Sequence, residues 1–325
     1  MDALEGSTAL VVGGAGFIGS HVVDELLRTP VRRVVVLDNL IRGRTENLGA
    51  ALDDSRVELV EGSILDRALL ADLARDADSV FHLAALWLYE CVHEPRKALE
   101  VNVEGTFNVL EAAFEGGVRK VVFSSSASVY GDGLYDPIDE EHPFNNRTTY
   151  GATKIAGEQL FRAAHEQHGL DYVALRYMNV YGPRMDYSGT YTSVIMKVLD
   201  RIAEGERPLV FGDGSQAYDF VHVRDVARSN VLALTSDATD EAFNVGTGVK
   251  TTINELVQLL LQVTGSELEP EYLPQEEFFV TNRVGSTEKA ERLLGFSAEL
   301  PLEEGLRSVV EWRRSDEQAA LARNE

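Results

Sequence analysis

The chain has 325 residues, enough for a large core and one or two domains. Hydrophobic content is 44%, and no run approaches the roughly 18 apolar residues of a membrane span. Thirty Lys and Arg face 53 Asp and Glu, a net charge of −23 that repels nucleic acid phosphates and is read here as a solvated acidic surface. Cys91 stands alone, so no internal disulfide forms, which fits a reducing cytoplasm. The N-terminus Met1-Asp2-Ala3-Leu4-Glu5 has no basic region, and no signal peptide is expected.

Residues 8–12 (TALVV) read as a buried first strand. Gly13, Gly14, Gly16 and Gly19 follow it, and a helical pattern runs from Ser20 to Arg28. Glycines between a strand and a helix permit a tight turn and close approach of a pyrophosphate, and the helix start offers free N–H groups to the anion. Residues 33–37 form a second strand ending at Asp38. A carboxylate about twenty residues beyond such a loop suits the adenosine ribose hydroxyls and repels the extra phosphate of NADP. Arg42 and Arg44 weaken that preference slightly, because a nearby Arg accepts the phosphate.

Residues 57–61 are a third strand, closed by residues 63–66. Asp66 is a helix N-cap, an adenine contact, or both. Residues 79–83 are a fourth strand running into Ala84-Ala85, where small side chains let the backbone approach a cofactor. Leu86-Trp87-Leu88-Tyr89 is aromatic for a loop, and pocket lining and buried packing are equally good accounts of it. Residues 95–115 read as one long helix containing Asn102. A fifth strand over 120–124 ends in Ser124-Ser125-Ser126, hydroxyls at the carboxyl end of a parallel strand, where such sheets bind ligands.

A helix over 149–168 carries Tyr150 and Lys154, four residues apart on one face. An ammonium beside a phenol favours the phenolate, and a phenolate takes protons from hydroxyls. Taken alone, the pair also fits an exposed Lys beside a half-buried Tyr. A sixth strand over 172–177 completes an alternation that specifies an α/β fold with a parallel, doubly wound sheet. After it come a turn-rich crossover (179–186), a helix (193–204), a turn at 211–214, a strand (242–245) and helices at 224–235, 252–264, 287–294 and 302–314. From about Arg314 the chain reads as a polar tail.

Taken together these motifs resemble the extended short-chain dehydrogenase/reductase family, in the branch of nucleotide-sugar 4-epimerases. The resemblance is carried by GGAGFIG (13–19), Asp38-Asn39, HLAA (82–85), VNVEGTFNVLEAA (101–113), SSSASVYG (124–131), YGATK (150–154), RYMNVYGPR (176–184), GDGSQAYDFVHVRDVA (212–227), FNVGTG (243–248) and STEKAERLLGF (286–296). It implies a Rossmann-type NAD-binding domain over 1–178 plus about 209–246, and a smaller mixed C-terminal substrate lobe from 179–208 and 247–314. A polar tail over 315–325 follows.

The resemblance implies that Gly13, Gly16, Phe17, Ile18, Gly19, Asp38, Asn39, Ile64, Asp66, Leu83, Ala84, Ala85, Asn102 and Tyr177 hold NAD, together with Tyr150 and Lys154. Ser126, Tyr150 and Lys154 are the implied catalytic set. Trp87, Ser125, Ser126, Asn179, Arg184, Tyr218 and Arg283 are the implied substrate contacts, on UDP-glucose, UDP-galactose or the corresponding uronates. No metal, nucleic acid or membrane partner is expected, and helices 95–115 and 149–168 match those that pair subunits into homodimers.

The implied 4,6-dehydratase acid–base pair after the serine is replaced by Ala127-Ser128, and the glutamate of uronate decarboxylases is missing there, so plain 4-epimerisation is the expected activity. A net oxidoreductase on an atypical activated sugar is the alternative, and a non-catalytic NAD sensor is a third reading that the intact triad disfavours. Two departures concern the diphosphate. Tyr218 stands where relatives carry Arg, and an ungapped count places Glu276 near the second family Arg. Arg283 or Arg184 is the expected substitute. Arg184 is equally a candidate for a sugar carboxylate or for an ion pair with Asp186.

Overall fold

The computed structural model describes residues 4–187, 193–274 and 282–323, with side chains described to Asp316. Glu276 lies outside the described residues. Seven parallel strands form one sheet. In chain order these are β1 (Thr8–Val12), β2 (Arg33–Asp38), β3 (Val57–Glu61), β4 (Ser79–His82), β5 (Lys120–Ser126), β6 (Asp171–Tyr177) and a later strand, Glu241–Val245. Their spatial order is that late strand, then β6-β5-β4-β1-β2-β3, which is the Rossmann arrangement extended by one strand. β1, β4 and β5 are almost wholly buried around apolar centres, as expected for strands covered on both faces.

The helices of this half are α1 (Phe17–Leu27), α2 (Thr45–Leu48), α3 (Arg67–Arg75), α4 (Leu88–His93), α5 (Pro95–Leu99), α6 (Thr106–Gly116) and α7 (Thr149–His168). Two expectations change here. The aromatic stretch after Ala85 is not a loop throughout, because Trp87 is an extended N-cap and α4 begins at Leu88. The long helix over 95–115 is interrupted by a π-helical turn over Glu100–Gly105. That turn inserts an extra residue and redirects Asn102, a use typical of π-turns near functional sites.

Beyond β6 come β7 (Asn179–Tyr181), α8 (Val194–Ala203), β8 (Leu209–Phe211), β9 (Ala217–Tyr218), β10 (Phe220–His222), α9 (Val223–Thr235), the late sheet strand as β11, β12 (Thr251–Thr252), α10 (Ile253–Thr264), β13 (Glu271–Leu273), β14 (Asn282–Arg283), α11 (Glu288–Leu294) and α12 (Leu302–Arg323). Here the strands form three small sheets: β10 with β7, β12-β9-β14, and β13 with β8. A separate apolar cluster unites Met185, Ile195, Leu199, Phe220, Leu256, Leu260 and Val309. α12 continues to Arg323 instead of ending near 314. The residues after Arg314 are polar but include strong helix formers and neither Gly nor Pro, so nothing terminates the helix.

One buried ion pair ties the layers together. Glu158 of α7 accepts from Arg176 of β6 (Nε 3.0 Å, Nη2 2.7 Å) and from Ser125 Oγ of β5 at 2.5 Å. Both side chains are buried, at 7% and 6% exposure. Arg176 also donates to the Tyr130 hydroxyl at 2.8 Å, which donates to Asn244 of β11 at 2.7 Å. Breaking a buried pair on one side leaves an uncompensated charge and costs about 3–5 kcal/mol. Glu158→Ala is therefore expected to lower the unfolding free energy by that order, read as a shift in the urea midpoint. A shift under about 1 kcal/mol would show that the pair does not hold α7 to the sheet.

Candidate active site

The glycine turn is built for close backbone contact. Gly13 has φ +83°, and a Cβ there would lie 2.6 Å from the Ala84 nitrogen. A Cβ on Gly19 would lie 2.2 Å from the Gly13 carbonyl oxygen. Gly16 is the N-cap of α1 and supplies no side-chain cap, so the first N–H groups of the helix stay available to an anion.

A cavity of about 430 Å³ opens from this turn. Gly13, Gly16, Phe17, Ile18, Gly19, Leu83, Ala85, Trp87, Ser125, Tyr150, Lys154, Tyr177 and Arg184 line it, all of them expected from the sequence. Ser124, at the strand end where ligand-binding hydroxyls were expected, also lines it, as do Arg42 and Arg44 and the unanticipated Asn47, Val180, Met185, Asp186 and Ser193. A dinucleotide fits this combination of uncapped helix start, sterically tight glycines and apolar walls.

Several expected cofactor residues also hold the walls of the cavity in place. Asn102 accepts from the Leu86 nitrogen at 2.7 Å and donates to the Leu86 carbonyl at 2.8 Å and to Thr153 Oγ1 at 3.2 Å. Its amide is thereby occupied in fixing the turn after β4, so it shapes the pocket from behind. Ala84 backs the glycine turn, its nitrogen bonded to the Val12 carbonyl at 3.0 Å. Asp38 accepts from the backbone nitrogens of Ala15 (3.0 Å) and Leu40 (2.9 Å). Burial raises its pKa despite those bonds. The carboxylate thus pins the glycine loop to the end of β2, with Asn39 next to it. Asp66 caps α3 by accepting from the Leu69 nitrogen at 3.0 Å, and Asn108 donates to the Ile64 carbonyl at 3.0 Å.

Charges close the cavity mouth. Asp186 pairs with Arg42 at 3.2 Å and Arg44 at 3.8 Å, and the Arg42 guanidinium lies 4.5 Å over the Trp87 ring. Trp87 is therefore both pocket wall and packing platform. Arg184, in the left-handed region at φ +68°, pairs with Asp24 of α1 at 2.8 Å, and Asp186 is taken by the other two arginines. Asn179 opens β7 beside Phe220 and does not line this cavity.

At the inner end Tyr150 and Lys154 share one face of α7, but the ammonium is engaged elsewhere. Lys154 Nζ donates to the Ser124 carbonyl at 2.7 Å and lies 5.7 Å over the Tyr150 ring. Burial pushes Lys154 down to about 8 and Tyr150 up to about 12. The influences that pull Tyr150 back are a hydrogen bond from Ser126 and the charge of Arg283. Ser126 Oγ accepts from the Ser128 nitrogen at 3.1 Å, and Ser125 is bound to Glu158, so of the three hydroxyls Ser126 is the one that meets the phenol. Tyr177 is anchored by Ser124 at 2.9 Å and Asn230 at 3.0 Å. Tyr218 and Arg283 are paired across β9 and β14 and are not among the residues lining the cavity. Among the described residues no group of His, Cys, Asp and Glu is placed to hold a metal, and no helix is long and apolar enough to cross a membrane.

Fold and cavity together define a dinucleotide-binding Rossmann protein whose cavity is lined by Tyr150 and Lys154. The NAD dependent epimerase/dehydratase family matches residues 9–246. The chain is 38% identical over 310 residues to a putative UDP-glucose 4-epimerase of Methanocaldococcus jannaschii, covering 94% of this chain and 98% of that one. A UDP-glucose 4-epimerase from Thermotoga maritima, solved with UDP-glucose, superposes with a TM-score of 0.89 at 37% identity, covering 95% and 99%. A UDP-N-acetylglucosamine 4-epimerase from Methanobrevibacter ruminantium, solved with UDP-N-acetylmuramic acid, gives 0.91 at 35%, covering 96% and 99%. The chain belongs to the NAD dependent epimerase/dehydratase family.

The raised phenol makes a sign prediction. A phenol is neutral below its pKa, so in the ligand-free protein Tyr150 stays neutral through the ordinary tyrosine value of 10.0 and ionises only as pH climbs toward about 12. The phenolate absorbance difference between the ligand-free protein and Tyr150→Phe is expected to be flat below pH 10.0. A component titrating near neutrality would contradict the geometry.

Proposed function

We propose that this protein is an NAD-dependent nucleotide-sugar 4-epimerase acting through a transient 4-keto sugar. The observation that supports the reading is a single cavity lined by both the glycine turn and the Tyr150–Lys154 pair, with Ser126 acting on the Tyr150 phenol next to it. NAD, when bound, supplies the hydride acceptor and donor and a positive ring that favours the phenolate. The rest falls to the chain. The glycine turn and the start of α1 receive the pyrophosphate, and Lys154 is positioned by the Ser124 carbonyl toward the cofactor ribose. Ser126 orients the sugar 4-hydroxyl against Tyr150. Tyr150 takes the O4 proton, and returns it after the keto sugar has presented its other face. One base serves both half-reactions, so the net change is inversion at C4 without net redox.

Dehydration is disfavoured by the same geometry. Ala127 is buried and Ser128 is hydrogen-bonded to Ser126, so neither residue after the serine supplies an acid or a base. The ribose role of Asp38 and the adenine role of Asp66 belong to this reading as well. So does the division at residues 178 and 246, with a substrate lobe packed on the apolar cluster of α8, α10 and α12. A cytoplasmic enzyme is expected, which cell fractionation checks.

A homodimer is part of the proposal. Val92, Leu99 and Phe107 are 47%, 54% and 43% exposed along α4 to α6, beside α7. A monomeric mass by light scattering would reject it.

Tyr150→Phe removes the base and is expected to lower kcat by about 10²–10⁴-fold, with little change in KM. The assay is the interconversion of a C4-epimeric UDP-sugar pair followed by NMR without added NAD. Undiminished turnover in the variant would sink the assignment.

A further inference from the structure

The residues that line the cavity where it meets solvent come from two separate parts of the chain. Arg42 and Arg44 belong to the connection between β2 and α2, and Asp186 to the crossover after β7. Their side chains are 36%, 41% and 35% exposed, whereas Lys154, lining the same cavity, is buried. These three side chains thus form the solvent edge of the cavity.

Each side of that edge has its own anchor. The Arg44 nitrogen donates to the Ala15 carbonyl at 3.0 Å, and Asn47 Nδ2 donates to the same carbonyl at 2.9 Å, so the β2–α2 connection is tied to the glycine turn. The crossover is fixed before Asp186, where Arg184 meets Asp24 of α1 at 2.8 Å. It is fixed again after it, where the Tyr187 hydroxyl donates to Asp316 of α12 at 2.6 Å.

Asp186 joins the two sides. One of its carboxylate oxygens lies 3.2 Å from Arg42 and the other 3.8 Å from Arg44. Arg42 is ordered for this contact, with its guanidinium 4.5 Å over the Trp87 ring and 3.8 Å from Glu90 of α4. A part-exposed ion pair is weak alone, and it counts when several charges form a network. Links of that strength break and re-form readily, which suits a closure that opens and shuts over a ligand.

We propose that Asp186 clasps Arg42 and Arg44 across the solvent edge of the cavity and so governs how fast bound NAD leaves. Release of the cofactor is separate from the reaction on the sugar, so this role stands apart from the epimerase reading. The rival account is that the two arginines hold the NAD diphosphate and Asp186 only tempers their charge. The uncapped start of α1 speaks against it, because its free N–H groups are placed to receive that anion.

The two accounts differ in sign. The experiment mixes the NAD-loaded protein with excess deuterium-labelled NAD and follows exchange of the bound cofactor by mass spectrometry. It compares the wild type, Asp186→Asn, Arg42→Gln and the double variant. Asp186→Asn keeps the shape of the side chain and removes its charge. The clasp predicts exchange roughly 3- to 10-fold faster in Asp186→Asn, the range that ion pairs of this exposure allow. It also predicts a double variant no faster than the faster single one, because both changes break the same link. The melting temperature is expected to stay within about 3 °C of wild type. Unchanged or slower exchange in Asp186→Asn would overturn the proposal, slower exchange being the mark of freed arginines gripping the diphosphate. So would single effects that multiply in the double variant, since Arg42 would then act on the cofactor without Asp186. Faster exchange accompanied by a much larger drop in melting temperature would overturn it too, as the sign of a loosened fold.

Discussion

The Glu158–Arg176 pair is the constraint on which the site depends. It joins the helix that carries Tyr150 and Lys154 to the two strands whose ends carry the serines and Tyr177. A base must be held to within a fraction of an ångström of its proton, and a helix resting on a sheet through apolar contacts alone can slide. The ion pair removes that freedom, and Ser125 spends its hydroxyl on it. Of the three consecutive serines, Ser125 is therefore structural, Ser124 anchors Tyr177, and Ser126, bonded to Ser128, is the one that acts on the Tyr150 phenol.

Burial dominates the electrostatics of the cleft, raising the Tyr150 phenol and lowering the Lys154 ammonium. At the mouth, Asp186 links Arg42 and Arg44 of the β2–α2 connection to the crossover after β7, so the two lobes are joined by charge across the cofactor cavity.

Local features were legible in the sequence. The glycine turn, Asp38, the serine cluster and the Tyr150–Lys154 pair each combine a residue type with a spacing that only a strand-to-helix turn or a single helix face satisfies, and the sheet followed from the alternation around them. What escaped depends on distant partners. Arg184 finds Asp24, about 160 residues away in the chain, where its neighbour Asp186 was the visible candidate. Asn102 is turned toward Leu86 by a π-helical turn that no hydrophobic period announces. The helix at 88–93 and the continuation of α12 were hidden for opposite reasons, aromatic content suggesting a pocket loop and polarity suggesting a tail. Spacing put Lys154 and Tyr150 on one helix face but carried no information about their burial, which raises the phenol and lowers the ammonium.

In the proposed reaction one tyrosine and one tightly held cofactor carry hydrogen out and back at a single carbon. The most direct measurement follows a nucleotide sugar deuterated at C4 through a full turnover in ordinary water, without added NAD. Inverted product that retains its deuterium at C4 is the predicted result. Loss of the label to solvent would contradict the account, since C4 would then exchange its hydrogen as a proton and not return it from within the closed site.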